Sequence, residues 1–72
     1  MPSLETIEME TTRDGWRARL RRLREKFALT QYGAAERVGV AGPTWVAWEN
    51  NHRVPGRLAR KLLAAAFPKE KL

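Results

Sequence analysis

The stretch LTQYGAAERVGVAGPTWVAWENN, residues 29–51, holds two short helical patterns on either side of a glycine. Thr30 is a natural N-cap, since its hydroxyl can accept from a first-turn N–H that has no partner inside the helix. The apolar positions Ala34, Ala35 and Val38 follow at helical spacing. Gly39 comes directly after them, where a left-handed residue turns a chain out of a helix. Gly33 and Ala34 are small, which predicts close approach by a neighbouring helix under the large Trp45. A further helix is predicted over about Ala41 to Asn50. Pro43 fits it only in the first turn, where a missing N–H costs nothing, and this sets the helix start to within a residue or so. Trp45 and Trp48 lie three apart on one face and are assigned to the core.

Upstream, Trp16, Leu20, Leu23 and Phe27 fall at helical spacing among Arg17, Arg19, Arg21, Arg22, Arg24 and Lys26. This predicts an amphipathic helix from Arg13 to Phe27 with one core stripe, capped by Thr12 or Asp14 and carrying an Arg21–Glu25 pair. Downstream, Asn50 to Val54 reads as a loop. Pro55 then opens a fourth helix, GRLARKLLAAAF, with Leu58, Leu62 and Ala65 or Ala66 inward, and Pro68 ends it. The expected core is Leu20, Leu23, Phe27, Ala35, Val38, Trp45, Trp48, Leu58 and Leu62. The fold class is all-α: one domain over 13–67, an extension over 1–12 and a tail over 68–72. Ile7, Met9 and Thr11 alternate with polar residues, so the extension is expected to be either disordered or a single strand that pairs with the same strand of a second copy.

Of the 72 residues, 14 are Lys or Arg and eight are Asp or Glu, a net charge of +6. Three of the acids lie in residues 1–12, leaving 14 bases against five acids in the remainder, near +9. Such an excess favours a polyanionic partner, nucleic acid before an anionic membrane surface, or else a solvated basic exterior. There is no cysteine, and His52 is the only histidine, so no metal site and no cofactor are expected. No apolar run approaches the ~20 residues of a membrane span, and the acidic first residues do not suit a signal peptide. A soluble, cytoplasmic protein is the expectation. No constellation for acid–base or nucleophilic chemistry is present, so an enzyme is not expected; Tyr32 is assigned to packing or to a phosphate.

Residues 20–67 resemble the Cro and lambda-repressor-like (XRE-type) helix-turn-helix DNA-binding domains. The resemblance is carried by LRRLRE, by Leu29, Thr30 and Gln31, by Ala35, Gly39 and Val40, by Thr44, Trp45, Trp48 and Glu49, and by Arg53 and Pro55. The ending WENNHRVPGRLARKLL is similar to small regulators and antitoxins of that family. The resemblance implies a four-helix domain in which Ala35 marks the crossing of the two motif helices, Gly39 makes the turn between them, and Val38 and Trp45 hold them together. It also implies a pair between Glu49 and an arginine of the first helix, Arg24, that sets the angle of the third helix.

Carried over by position, Gln31, Asn50, Asn51 and Arg53 would contact phosphates of double-stranded DNA, and Thr44 a phosphate or a thymine methyl. Gly42, Pro43 and Ala47 occupy the positions from which such domains usually read bases, yet none carries a hydrogen-bonding side chain. Three readings stay open: selection by thymine methyls and DNA shape, binding with little sequence preference, or recognition of a protein through Pro43, Val46 and Ala47. The implied function is a repressor-like transcription regulator, with homodimerisation through the extension or the fourth helix. The alternative is an adaptor for a protein partner such as RNA polymerase, a toxin or a phage protein.

Overall fold

The computed structural model describes residues 13–70. Within them the chain forms four helices and no strand: α1 (Arg13–Lys26), α2 (Gln31–Val38), α3 (Gly42–Glu49) and α4 (Arg57–Ala66). The expectations for a strand near Ile7 and a cap at Thr12 lie outside the described residues. Asp14, the other cap considered, is already inside α1.

Three of the helices end in the same way, by a left-handed residue that redirects the chain while the next N–H reaches back over the last turn. After α1 this residue is Ala28 (φ 53°), and Leu29 N–H donates to the Arg24 carbonyl at 2.9 Å. After α2 it is Gly39 (φ 92°), with Val40 N–H on the Ala35 carbonyl at 3.0 Å. After α3 it is Asn51 (φ 62°), with His52 N–H on the Ala47 carbonyl at 2.9 Å. Glycine adopts this geometry freely and asparagine tolerates it, whereas at Ala28 the Cβ costs roughly 1–2 kcal/mol. The start of α2 is capped as the sequence predicts: the Thr30 hydroxyl accepts from Gly33 N–H at 2.9 Å. That contact revises the role of Gly33. A Cβ there would meet the Thr30 hydroxyl at 2.9 Å and no neighbouring helix, so the small residue leaves room for its own cap.

The core gathers Trp16, Leu20 and Leu23 of α1, Ala34, Ala35 and Val38 of α2, Trp45 and Trp48 of α3, and Leu63 and Phe67 at the end of the chain's last helix. The α2 helix packs on both α3 and α4, and α1 packs on α3. Each fully buried side chain such as Leu20 or Leu63 contributes about 1.5–3 kcal/mol of transfer free energy, which a chain this short needs.

The face of α4 differs from the sequence expectation. Leu58 is 72% exposed and Ala65 is exposed, while Leu63 and Phe67 are buried and Ala59, Leu62 and Ala66 pack beside them. Leu62 and Ala66 pack inward as expected, while Leu58 and Ala65 do not, and the centre of the buried face moves round by one residue, or about 100°, to Ala59, Leu63 and Phe67. In this rotation Phe67 meets Phe27, with ring centroids 5.2 Å apart, and lies under the Arg37 guanidinium, 4.6 and 4.7 Å from the two rings. Burying a phenylalanine removes more apolar surface than burying Leu58, so the larger ring decides the face. Pro55 is buried in the loop, and α4 begins two residues after it behind an extended Gly56. The expected tail is anchored, since Lys26 donates to Glu70 at 2.6 Å.

Candidate functional site

The α3 helix is held by its inner face. Glu49, in its last turn, is 7% exposed although it carries a charge. Arg24 of α1 grips it through two parallel hydrogen bonds, Nε to Oε2 at 2.8 Å and the terminal nitrogen to Oε1 at 2.9 Å. Trp45, one turn earlier in α3, donates its indole N–H to the same carboxylate. Arg24 also donates to the Leu29 carbonyl at 3.3 Å, so one guanidinium ties the end of α1, the entry to α2 and the end of α3 together. Burial alone would push the Glu49 carboxyl up in pKa and is the largest single influence. The Arg24 and Trp45 hydrogen bonds, the Arg24 charge and a hydrogen bond from Gln31 together outweigh it and hold the group below the usual carboxylate range. The hydrogen bond from Glu49 likewise holds Arg24 above its ordinary value. An unpaired carboxylate at this depth would cost several kcal/mol, and its two-pronged partner removes that cost while defining a direction.

This network positions the remaining residues singled out by the sequence. Gln31, the first residue of α2, is half-buried and turned in part towards Glu49. The loop after α3 is folded back on it: Asn50 N–H donates to Val46, and the N–H groups of His52 and Arg53 both donate to the Ala47 carbonyl. Asn50 and Arg53 are exposed there, while Asn51 is half-buried at the left-handed turn. Asn51 therefore has a conformational duty at this position. On α3 itself Pro43 is exposed, and Gly42, Thr44, Val46 and Ala47 are half-exposed. Ala35, Trp45 and Trp48 are buried, the two indoles meeting at 5.8 Å, and Gly39 is exposed at the turn between α2 and α3. The loop and α4 add Arg53, Arg57, Arg60 and Lys61, all exposed and in no ion pair among the described residues.

Comparison of the chain with protein-family models, with curated proteins and with solved structures returns no match. The geometry adds one contact at this surface for Tyr32, which the sequence assigned only to packing or to a phosphate. Tyr32 of α2 lies over Gly42: a Cβ built at Gly42 would stand 2.6 Å from two carbons of the tyrosine ring. Helical spacing relates residues within one helix, and this contact joins two, so nothing in the local pattern announces it. A separate opening of about 210 Å³ lies beside Phe27, Arg37 and Phe67. Its one carboxylate, Glu70, is already paired with Lys26. Among the described residues no group of three or more side chains is placed to hold a metal, and no helix is long and apolar enough to cross a membrane.

Proposed function

We propose that the chain is a helix-turn-helix DNA-binding regulator of the Cro and lambda-repressor-like kind, with α2 and α3 as the motif and α3 laid into the major groove. The observation that carries this reading is the way α3 is held. Glu49 is held inward by Arg24 and Trp45 and both tryptophans are buried, which leaves a slim outer face of Gly42, Pro43, Val46 and Ala47 with Thr44 its one half-exposed polar side chain. Exposed Asn50 and Arg53 flank one end of it, and Arg57, Arg60 and Lys61 follow. Such a helix can approach base edges closely while surrounding groups neutralise phosphates, the division of labour between reading and positioning. The protein would act in the cytoplasm, without catalysis and without a cofactor, on double-stranded DNA.

The test is fluorescence anisotropy on duplexes at several salt concentrations. Roughly four to six neutralised phosphates per protomer predict a log–log slope of about −4 to −5. A binding constant indifferent to salt, or no binding, sinks the reading.

A second reading, an adaptor for a protein partner, is favoured by one observation: the outer face of α3 is apolar, with Pro43 exposed and Val46 and Ala47 half-exposed. Ala47→Arg separates the two. On DNA it should raise affinity for many duplexes and introduce a preference for guanine, whereas loss of a protein complex with DNA binding untouched supports the adaptor.

A further inference from the structure

Of the α3 side chains that can hydrogen-bond, Trp45, Trp48 and Glu49 are buried, Trp45 and Glu49 being bonded to each other, and Thr44 alone is half-exposed. The outer surface of the helix is thus almost without donors or acceptors of its own. Tyr32 supplies what is missing. Its ring rests on Gly42, the first residue of α3, and occupies the space into which a side chain at position 42 would emerge. The third-nearest atom to that point, at 2.8 Å, is Cζ, the carbon bearing the hydroxyl, so the polar end of the ring reaches over the start of α3. Tyr32 is nonetheless 62% exposed, so the ring rests against Gly42 while most of it stays open to a ligand.

We propose that Tyr32 is a base-reading side chain of this surface, its hydroxyl taking the place of the discriminating group that Gly42 lacks. The proposal rests on the DNA-binding reading and deepens it. A phenolic hydroxyl both donates and accepts, and each base pair presents a distinct pattern of donors and acceptors in the major groove. Phosphates are better served by charged groups such as the exposed Arg53, Arg57, Arg60 and Lys61. A ring that rests against a helix backbone has fewer orientations open to it before binding, which lowers the cost of ordering its neutral hydroxyl. The glycine is part of the device, because any Cβ at 42 would displace the ring.

The experiment is selection of bound duplexes from a random pool with the wild-type protein, Tyr32→Phe and Gly42→Ala, each also followed by thermal melting. Tyr32→Phe keeps the ring on Gly42 and removes only the hydroxyl. It should leave the melting temperature and the salt slope unchanged, erase the preference at one base-pair position, and weaken the best duplex about 3- to 10-fold relative to random DNA, the size of one neutral hydrogen bond. Gly42→Ala should lose the same preference because the ring is pushed aside. A Cβ directly before Pro43 is disfavoured in helical backbone, so its melting temperature should fall somewhat while Tyr32→Phe keeps that of wild type. A loss shared equally by all duplexes would make Tyr32 a phosphate contact and overturn the proposal, as would Tyr32→Phe selecting the same sites as wild type with the same ratio. Wild-type protein that binds no duplex overturns the DNA-binding reading and this inference with it. Wild-type binding with an unaltered Tyr32→Phe profile overturns the inference alone.

Discussion

Two corners fasten the shorter helices, one to α1 and one to the turn that follows it, and they do so by opposite physics. At one, Arg24 and Trp45 donate three hydrogen bonds to the buried Glu49 carboxylate. At the other, Phe27, Phe67 and Arg37 meet as two tilted rings beneath a guanidinium. The first corner is directional, since charge-assisted bonds hold only near their preferred distances and angles. The second relies on apolar burial and on attraction to ring faces, both tolerant of small displacements. It is the directional corner that holds α3, the helix whose angle a groove-reading function would need fixed, while the tolerant corner holds α4.

The largest expected effect lies at the tolerant corner. Phe67→Ala should destabilise by about 3–5 kcal/mol, enough to unfold a domain of this size, while Phe67→Leu should cost less than about 1.5 kcal/mol. Urea unfolding measures both, and equal costs for the two would mean that ring-specific contacts, not burial, hold the corner. At the directional corner Arg24→Ala should cost about 3 kcal/mol, because it leaves a buried carboxylate with only Trp45 and Gln31 to face it. Adding Glu49→Gln removes that charge and should restore a measurable part of the loss, and a double variant no more stable than Arg24→Ala would contradict the account.

Acid provides a gentler probe of the same corner. The folded pKa of Glu49 is depressed, so its contribution is fully present above the unfolded value of about 4.3 and is lost as pH falls through the lower folded value. Wild type should therefore lose stability below about pH 4 more steeply than Glu49→Gln in paired thermal melts. The loss should be smaller than for Arg24→Ala, since a protonated carboxyl still accepts hydrogen bonds. The smallest effect concerns Ala28, which stands between Phe27 of one corner and Leu29, whose carbonyl accepts from Arg24 of the other. Ala28→Gly should stabilise by roughly 0.5–1 kcal/mol, the relief of a left-handed alanine less the added freedom of the unfolded chain. A destabilised variant would show that the position is not strained.

Much of this was written locally. Thr30, Gly39 and Pro43 announce where α2 begins, where it ends and where α3 begins, because caps, left-handed turns and the missing proline N–H depend on only a few neighbouring residues. Trp45 and Trp48 were legible as core from their spacing and size. The Arg24–Glu49 pair was implied by resemblance alone, for nothing in the spacing of residues 24 and 49 declares it. Of the surface around α3, the sequence named Gln31, Gly42, Pro43, Thr44, Ala47, Asn50, Asn51 and Arg53 but passed over the seat of Tyr32 on Gly42.

Tertiary structure alone decided the rest. The α4 helix has apolar residues at 58, 59 and 62–66, so more than one face could be buried, and the choice fell to the rotation that brings Phe67 against Phe27. Ala28 takes a left-handed conformation that alanine does not favour, because the chain must turn there for Leu29 to reach the Arg24 carbonyl and for α2 to enter the core. Local preferences of the backbone are short-ranged and so can be read from neighbouring letters. Which face is buried, and what strain is tolerated, depend on surfaces that meet only once the chain has folded.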